Sequence, residues 1–150
     1  MSTPPTIDEI RARAEAAPRG PWHWAGNTKN HHTYLATWIP GWGRCSIMDF
    51  TRAGMHGAEP RFMQTDDVFM IRGRDLAIYE VAPTATTPDD PRVYRHDIIG
   101  YRHPTAEFIA HSREDIDTLL AEIDRLTTAL AEAERAAMEL VHESRASRRG

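Results

Sequence analysis

Residues 105–143 read TAEFIAHSREDIDTLLAEIDRLTTALAEAERAAMELVHE, and this stretch decides the architecture of the chain. Large or small apolar side chains recur there with heptad spacing, at the a positions Ile109, Ile116, Ile123, Leu130 and Ala137. The d positions follow at Ser112, Leu119, Leu126, Ala133 and Leu140. Isoleucine at a with leucine at d favours two parallel strands. The sequence therefore predicts a long coiled-coil helix that joins copies of the chain through Ile116, Leu119, Ile123, Leu126, Leu130 and Leu140.

The flanks of this heptad pattern leave the number of strands open. Phe108, Leu120 and Val141 widen the apolar stripe, so part of the helix is also expected to touch its own sheet. Few opposite charges lie at e and g, so charge specifies the register and the number of strands only weakly. A homodimer is the first prediction and a higher oligomer the second. Residues 112–115 (SRED) have the form of a capping box and predict a helix break there. A basic tail, ASRRG, ends the chain.

A short helix is predicted at the other end of the chain, over residues 7–17. Thr6 and Glu9 have the spacing of a capping box, in which each side chain bonds the other residue's backbone amide. Pro18, Gly20 and Pro21 then stop the helix.

The middle of the chain has the alternating, aromatic and β-branched character of strands. Strands are predicted at 31–39, 44–50, 67–71, 76–81 and 97–101. Residues 40–43 (PGWG) form a turn, 51–60 a loop, and 72–75 join the third strand to the fourth. The prediction is an α+β fold with a small antiparallel meander of four or five strands. Residues 1–104 form a sheet-bearing head, and 105–150 form an oligomerisation segment.

Composition excludes several classes of function. The net charge of −4 argues against a general nucleic-acid binder, which needs a basic surface to neutralise phosphates. No apolar run is long enough for a membrane span, and the first residues lack the apolar core of a signal peptide. Cys45 is the only cysteine, so neither an internal disulfide nor a CxxC metal site is possible. A cytoplasmic protein without metal or cofactor is expected.

Two histidine motifs raise the possibility of catalysis. His31-His32-Thr33 and His103-Pro104-Thr105 both match His-x-Thr, as in two-histidine phosphoesterases that use paired imidazoles as general base and acid. The second motif opens a helix, with Thr105 as N-cap, whereas that family places each motif inside a strand. Adjacent histidines on a strand point to opposite faces, so a shared metal with His23 or His56 is not favoured.

Tryptophans and arginines supply the other candidates for a binding surface. Of Trp22, Trp24, Trp38 and Trp42, at least two are expected in the sheet core, whereas Trp42 is expected to be exposed in its turn. Arginine forks suit phosphate or carboxylate, although surface ion pairing is the favoured explanation for most of these arginines taken singly. The candidate ligand-binding residues are Trp42, Arg44, His31, His32, Arg72, Arg74, Arg95, Arg102 and His103.

Two segments, one near each end of the chain, form a paired motif. The first is Ile10–Ala17 followed by Gly20-Pro21-Trp22. The second is residues 106–111 (AEFIAH) followed by 119–123 (LLAEI). Together they resemble Ead-like phage early accessory proteins, which actinobacterial phages and prophages encode. The resemblance implies a non-enzymatic accessory protein that acts in phage–host conflict or in infection decisions, and it transfers no site residues.

Three functional hypotheses follow. The first is an oligomeric, phage-encoded binding module that interferes with host defence by binding a host protein or sequestering a small anionic nucleotide signal. The second is a phosphodiesterase that uses His31 and His103. The third is a purely structural oligomer without a ligand.

Overall fold

A computed structural model describes residues 3–64, 67–81, 84–87, 89–93 and 97–150. The elements in order are α1 (Ile7–Ala16), β1 (His23–Asn27), β2 (His32–Ile39), β3 (Gly43–Ala53), β4 (Gly57–Met63), β5 (Met70–Arg72), α2 (Gly73–Leu76), β6 (Ala77–Glu80), β7 (Asp97–Tyr101) and α3 (Pro104–Ser147). The predicted α+β fold is confirmed. None of the helices in the described ranges is long and apolar enough to cross a membrane.

Contacts within the chain divide it into two units. The sheet unit is Arg11–His111, and the helical unit combines the segment up to Ile10 with Ser112–Gly150. The predicted capping box at the start of α1 is present in the helical unit. Glu9 Oε2 accepts from the Thr6 amide at 2.7 Å, and Thr6 Oγ1 accepts from the Glu9 amide at 3.3 Å.

Five strands form an antiparallel sheet in the order β1-β2-β3-β4-β5, which confirms the predicted meander. The prediction of a loop over residues 51–60 is wrong, because β3 continues to Ala53 and β4 begins at Gly57. Gly54 has a φ of +67°, so it allows the chain to reverse tightly. Pro60 is tolerated in β4 because β5 pairs only with Arg61–Met63, which leaves Pro60 a strand partner on one side alone.

The predicted strands at 67–71 and 76–81 exist in shortened form, but they are not paired with each other. The helix α2 separates them, and β6 pairs with β7 in a second, two-stranded sheet. Gly73 is buried at the start of α2, and only a residue without a side chain fits there. A Cβ at this position would lie 3.0 Å from both the Pro60 carbonyl oxygen and the Tyr101 ring. Tyr101 also meets Phe62 at 5.7 Å between ring centroids, which packs the second sheet against the first.

The C-terminal helix α3 is continuous over 44 residues, about 66 Å at 1.5 Å per residue. The predicted break at Ser112–Asp115 is wrong, since all of these residues are helical. A capping-box sequence does not by itself end a helix. Residues 112–115 contain neither proline nor glycine, the residues that most disfavour helical backbone angles. The heptad spacing is kept across the segment, with Ile109 before it and Ile116 after it.

The buried apolar core of the sheet unit is small, and includes Ala36, Ile47, Phe62 and Met63. The prediction that at least two tryptophans belong to it is wrong. Three are mostly exposed, namely Trp24 at 65%, Trp38 at 70% and Trp42 at 66%. The exposure predicted for Trp42 is thereby confirmed. Trp22 is half-buried and packs edge-on against Phe108, with ring centroids 5.0 Å apart.

The pairing of β1 with β2 can be tested at Gly26, which lies in β1 opposite Thr33. A Cβ at Gly26 would lie 2.4 Å from the His32 carbonyl oxygen, so Gly26→Ala should lower the free energy of unfolding by about 1–3 kcal/mol through overpacking. Gly100→Ala is the matched control, because its Cβ would meet only the flexible end of Ile78 at 3.8 Å. Urea unfolding of both variants checks the difference. Equal stabilities would contradict the close approach of β1 to the His32 carbonyl.

Candidate functional site

A cleft of about 340 Å³ opens in the sheet unit where the ends of several elements meet. Its walls come from the end of α1 and the following residues, the ends of β2 and β4, and the start of α3. We call it the Trp38 cleft. Its apolar lining includes Ala17, Ile39, Pro40, Met63 and Trp38, and its polar lining consists of Arg19, Thr37, Gln64 and His103.

Hydrogen bonds hold the segment that follows α1, which forms one wall of the Trp38 cleft. The Thr37 hydroxyl is buried and donates to the Arg19 carbonyl at 2.7 Å, with Pro21 O at 3.3 Å. The Trp22 indole N–H donates to the Pro18 carbonyl at 2.9 Å. A segment in which three of four residues are proline or glycine would otherwise have few backbone bonds of its own, so these side chains hold it in place.

His103 forms the opposite wall and caps α3. Its Nε2 lies 2.8 Å from the Met63 carbonyl oxygen, and its Nδ1 accepts the Thr105 amide at 3.2 Å. A carbonyl only accepts and an amide only donates, so the ring must be the neutral tautomer with the proton on Nε2. His103, and not Thr105, therefore performs the N-cap role. Burial lowers the pKa of His103, and its ring stacks on Phe62 at 5.0 Å.

Trp38 stands at the rim of the cleft, near the β2–β3 turn. The end of its ring lies over Gly43, where an added Cβ would be 3.8 Å from Cη2. Gly43 also has a φ of +80°, which favours glycine. Arg44 is the cross-strand partner of Trp38 and is exposed. Trp42 is in the turn itself, with its amide bonded to the Ile39 carbonyl at 3.0 Å.

A group of ion pairs crosses the strands of the larger sheet. Asp49, only 3% exposed, accepts two bonds from Arg61, at 2.8 and 2.6 Å, and lies 3.3 Å from His32 Nε2. Paired charges of this kind link β2, β3 and β4 through side chains as well as through the backbone. Because the carboxylate is buried, removal of its partner would leave an uncompensated charge.

Glu59 forms the second part of this group. Arg74 donates to both of its carboxylate oxygens, at 2.6 to 3.0 Å, and Arg72 lies 3.7 Å away. The hydrogen bonds from Arg74 hold the pKa of Glu59 below its ordinary value, and Glu59 in turn raises the pKa of Arg74. The two predicted ligand-binding arginines are thus brought together on an internal carboxylate.

The structure distributes the other predicted site residues over separate places. His31 lies in the β1–β2 turn with a φ of +56°, and His32 begins β2 beside Asp49. Arg102 is exposed, with its amide bonded to the Leu76 carbonyl. Arg95 lies outside the described residues. His31 therefore occupies an exposed turn and His103 a buried helix start, which is not the pair of strand positions that the phosphodiesterase hypothesis needs.

The described ranges contain no group of three or more His, Cys, Asp and Glu side chains that could hold a metal ion. His23 pairs with Ala36 in the sheet, whereas His32 pairs with Asn27, so the strand register separates the two.

Of the residues that line the Trp38 cleft, only His103 is predicted from the sequence as a site residue. The sequence does not single out Trp38 as a binding residue, and it gives no prominence to Arg19 or Gln64. The relevant signal is the sequence Pro18-Arg19-Gly20-Pro21, whose backbone must be bonded by side chains from elsewhere in the chain. Only the fold shows that β2 and α3 supply the facing walls.

Comparison with protein-family models, with curated proteins and with solved structures finds no match for this chain. The resemblance to Ead-like proteins stays a prediction.

The pKa of His103 yields a test of the cleft wall. Because the folded state favours the neutral ring, His103 contributes to the free energy of unfolding. That contribution is fully present above pH 6.5, the ordinary pKa of histidine, and it is lost as the pH falls below this value. In His103→Asn that contribution should disappear. Stability at neutral pH should also fall by about 1–3 kcal/mol, because the Met63 carbonyl loses its donor.

Urea unfolding at a series of pH values measures both effects. His31→Asn, at the exposed β1–β2 turn, is the control that shows how much of the change belongs to the buried ring. Identical pH slopes for the wild type and His103→Asn would show that the ring is not held neutral by this wall.

Proposed function

We propose that this protein is a non-enzymatic binding module that self-associates through α3 and presents its sheet unit to a ligand. The observation that carries the proposal is the exposure of the apolar a and d residues of α3, which we call the heptad seam: Ile116, Leu119, Ile123, Leu126, Leu130 and Leu140. In the single chain, the six seam side chains from Ile116 to Leu140 are exposed by 37% at Leu119 to 67% at Leu140. A soluble protein rarely leaves a continuous apolar stripe of this kind uncovered.

The energy available from covering this seam supports association. Complete burial of one leucine or isoleucine is worth about 1.5–3 kcal/mol, so a half-exposed side chain retains on the order of 1 kcal/mol. Several such residues on each of two helices approach the total stability of a small domain, about 5–15 kcal/mol. A second copy with the same spacing of isoleucine and leucine is the partner whose side chains interlock with this seam.

The chemistry of the Trp38 cleft supports binding without turnover. Both nitrogens of His103 are occupied by the Met63 carbonyl and the Thr105 amide, and the Thr37 hydroxyl is bonded to the Arg19 carbonyl. General-base catalysis needs a lone pair within reach of a substrate proton. The histidine and hydroxyl in this lining direct their polar atoms to the protein instead. The Trp38 cleft is suited to hold a ligand.

The resemblance to Ead-like proteins supports a target in the host of a phage. Within this proposal, the ligand is a host protein or a small anionic signal such as a nucleotide, and its capture interferes with host defence. Self-association would raise the number of sheet units per particle and so the apparent affinity for a repeated target.

Substitution of one seam residue tests the self-association. Ile123→Asp puts a charge at an a position and should shift the mass in solution from that of an oligomer to that of one chain. Thr128→Asp introduces the same side chain at an exposed position outside the seam and should leave the mass unchanged. Sedimentation equilibrium measures both. An unchanged oligomer in Ile123→Asp would place the interface elsewhere.

Disulfide trapping tests the predicted parallel orientation. Ala137 is an a position near the end of α3, so two parallel helices bring its two copies together, whereas antiparallel helices separate them. In a Cys45→Ser background, Ala137→Cys should form a covalent dimer on mild oxidation. Ala131→Cys, on the opposite side of the heptad, is the control and should stay reduced. Equal trapping at both positions, or none at Ala137→Cys in an oligomeric protein, would contradict a parallel seam.

A further inference from the structure

The Trp38 cleft combines three features that select a ligand: a flat aromatic surface, an apolar floor and a permanent positive charge. Trp38 is 70% exposed, although a tryptophan beside a core normally buries most of its ring. The floor beneath it comes from Ile39, Pro40 and Met63. An aromatic ring with an open face is a stacking platform for other flat rings.

The charge in the Trp38 cleft is positive. Arg19 is the permanently charged residue of the lining, and no carboxylate of the described residues contributes to that lining. The backbone of Arg19 is anchored, because the Arg19 carbonyl accepts a hydrogen bond from the Thr37 hydroxyl at 2.7 Å. The side chain of Arg19 is exposed. A guanidinium fork on a fixed backbone matches a phosphate or carboxylate group with two parallel hydrogen bonds. Charge complementarity thus points to an anion.

Few polar atoms are left to read the rest of a ligand. The Thr37 hydroxyl and both nitrogens of His103 are bonded within the protein. Gln64 is exposed at the end of β4 and brings an amide group that can both donate and accept. An amide of this kind can bond the edge of a nucleobase. The lining therefore offers partners for one anionic group, one flat ring and one polar edge of a ligand, and the other polar groups of the ligand would have to face solvent.

Size narrows the ligand further. Small-molecule pockets span about 300–1,000 Å³. The volume of the Trp38 cleft, about 340 Å³, lies at the small end of that range. One ring system with one anionic group suits this volume better than a ligand with two stacked bases. The walls are held by hydrogen bonds, so little ordering should be needed on binding.

We propose that the Trp38 cleft binds a nucleoside monophosphate, with the base on Trp38 and Gln64 and the phosphate on Arg19. This rests on the proposed function, since it names the ligand class of the binding module. A protein target that displays an aromatic side chain beside an acidic one would be a different ligand, and the experiment below separates the two.

The test is calorimetric titration of the full chain with AMP, GMP, CMP and UMP, with the matching nucleosides, and with inorganic phosphate. At least one monophosphate should bind. Its nucleoside should bind about tenfold or more weakly, because it lacks the charged hydrogen bonds to Arg19. Inorganic phosphate alone should give no measurable heat, because it cannot stack. Failure of all four monophosphates, or equal affinity for a monophosphate and its nucleoside, would overturn the proposal.

Three variants locate the site. Arg19→Gln should reduce monophosphate affinity to that of the nucleoside and leave nucleoside affinity unchanged. Trp38→Ala should weaken both by about tenfold or more, and Trp38→Phe should retain most of the binding, which separates a lost platform from a lost fold. As a control, Trp24→Ala removes an equally exposed tryptophan outside the cleft and should change nothing. Equal losses in Trp24→Ala and Trp38→Ala would overturn the assignment.

The outcome for the cleft is distinguishable from the outcome for the seam. A protein that is oligomeric yet binds no monophosphate would overturn the cleft proposal and leave self-association standing. A monomeric protein that binds a monophosphate through Trp38 and Arg19 would do the reverse. Binding of a host protein that persists in Trp38→Ala and Arg19→Gln, without monophosphate binding, would also overturn the cleft proposal.

Discussion

The apolar seam of α3 is the constraint on which the rest of the molecule depends. Forty-four of 150 residues are committed to one helix, and its isoleucines and leucines are exposed along its length in the single chain. The stability of a helix in a protein comes mostly from the packing of its apolar face rather than from intrinsic propensity. We propose that another copy of the same helix covers the seam, because a heptad pattern of isoleucine and leucine favours pairing with a like helix.

The same commitment of residues limits the core of the sheet unit. Ile47, Phe62 and Met63 are among its few large buried apolar side chains. Polar contacts between strands supplement this core. Asp49 binds Arg61 and Glu59 binds Arg74, which fixes β3, β4 and the start of α2 relative to one another. A buried carboxylate is costly without its partner, so removal of either arginine should destabilise the sheet unit.

A small core also explains why the tryptophans are at the surface. Trp38 lies over Gly43 at the rim of the cleft, and Trp42 lies in the adjoining turn. The cleft walls are joined by side-chain to backbone bonds, from Thr37 to Arg19 and from His103 to Met63. These bonds leave the ring of Trp38, the guanidinium of Arg19 and the amide of Gln64 as the groups of the lining that we propose to meet a ligand.

Patterns that repeat along the chain could be predicted from the sequence, whereas pairings between distant residues could not. The seven-residue spacing from Ile116 to Leu130 and the Thr6–Glu9 capping box depend on neighbours in sequence, and the helices that they predict are present. Residues 51–60 contain two glycines and one proline, which suggested a loop. That prediction failed because Gly54 reverses the chain in a tight turn, and most of the segment belongs to strands. Trp38 and Arg19 face one cleft only because β2 reaches the segment after α1, which local pattern cannot show.

Hydrogen–deuterium exchange over residues 116–140, measured over a wide dilution series, tests most directly whether a second copy covers this seam. Amides in β3 and β4 provide the internal reference, since their protection comes from the sheet unit itself. If a second copy covers the seam, its amides should exchange slowly at high protein concentration and faster on dilution, with no such change in the sheet. Fast exchange along residues 116–140 at every concentration would contradict a covered seam.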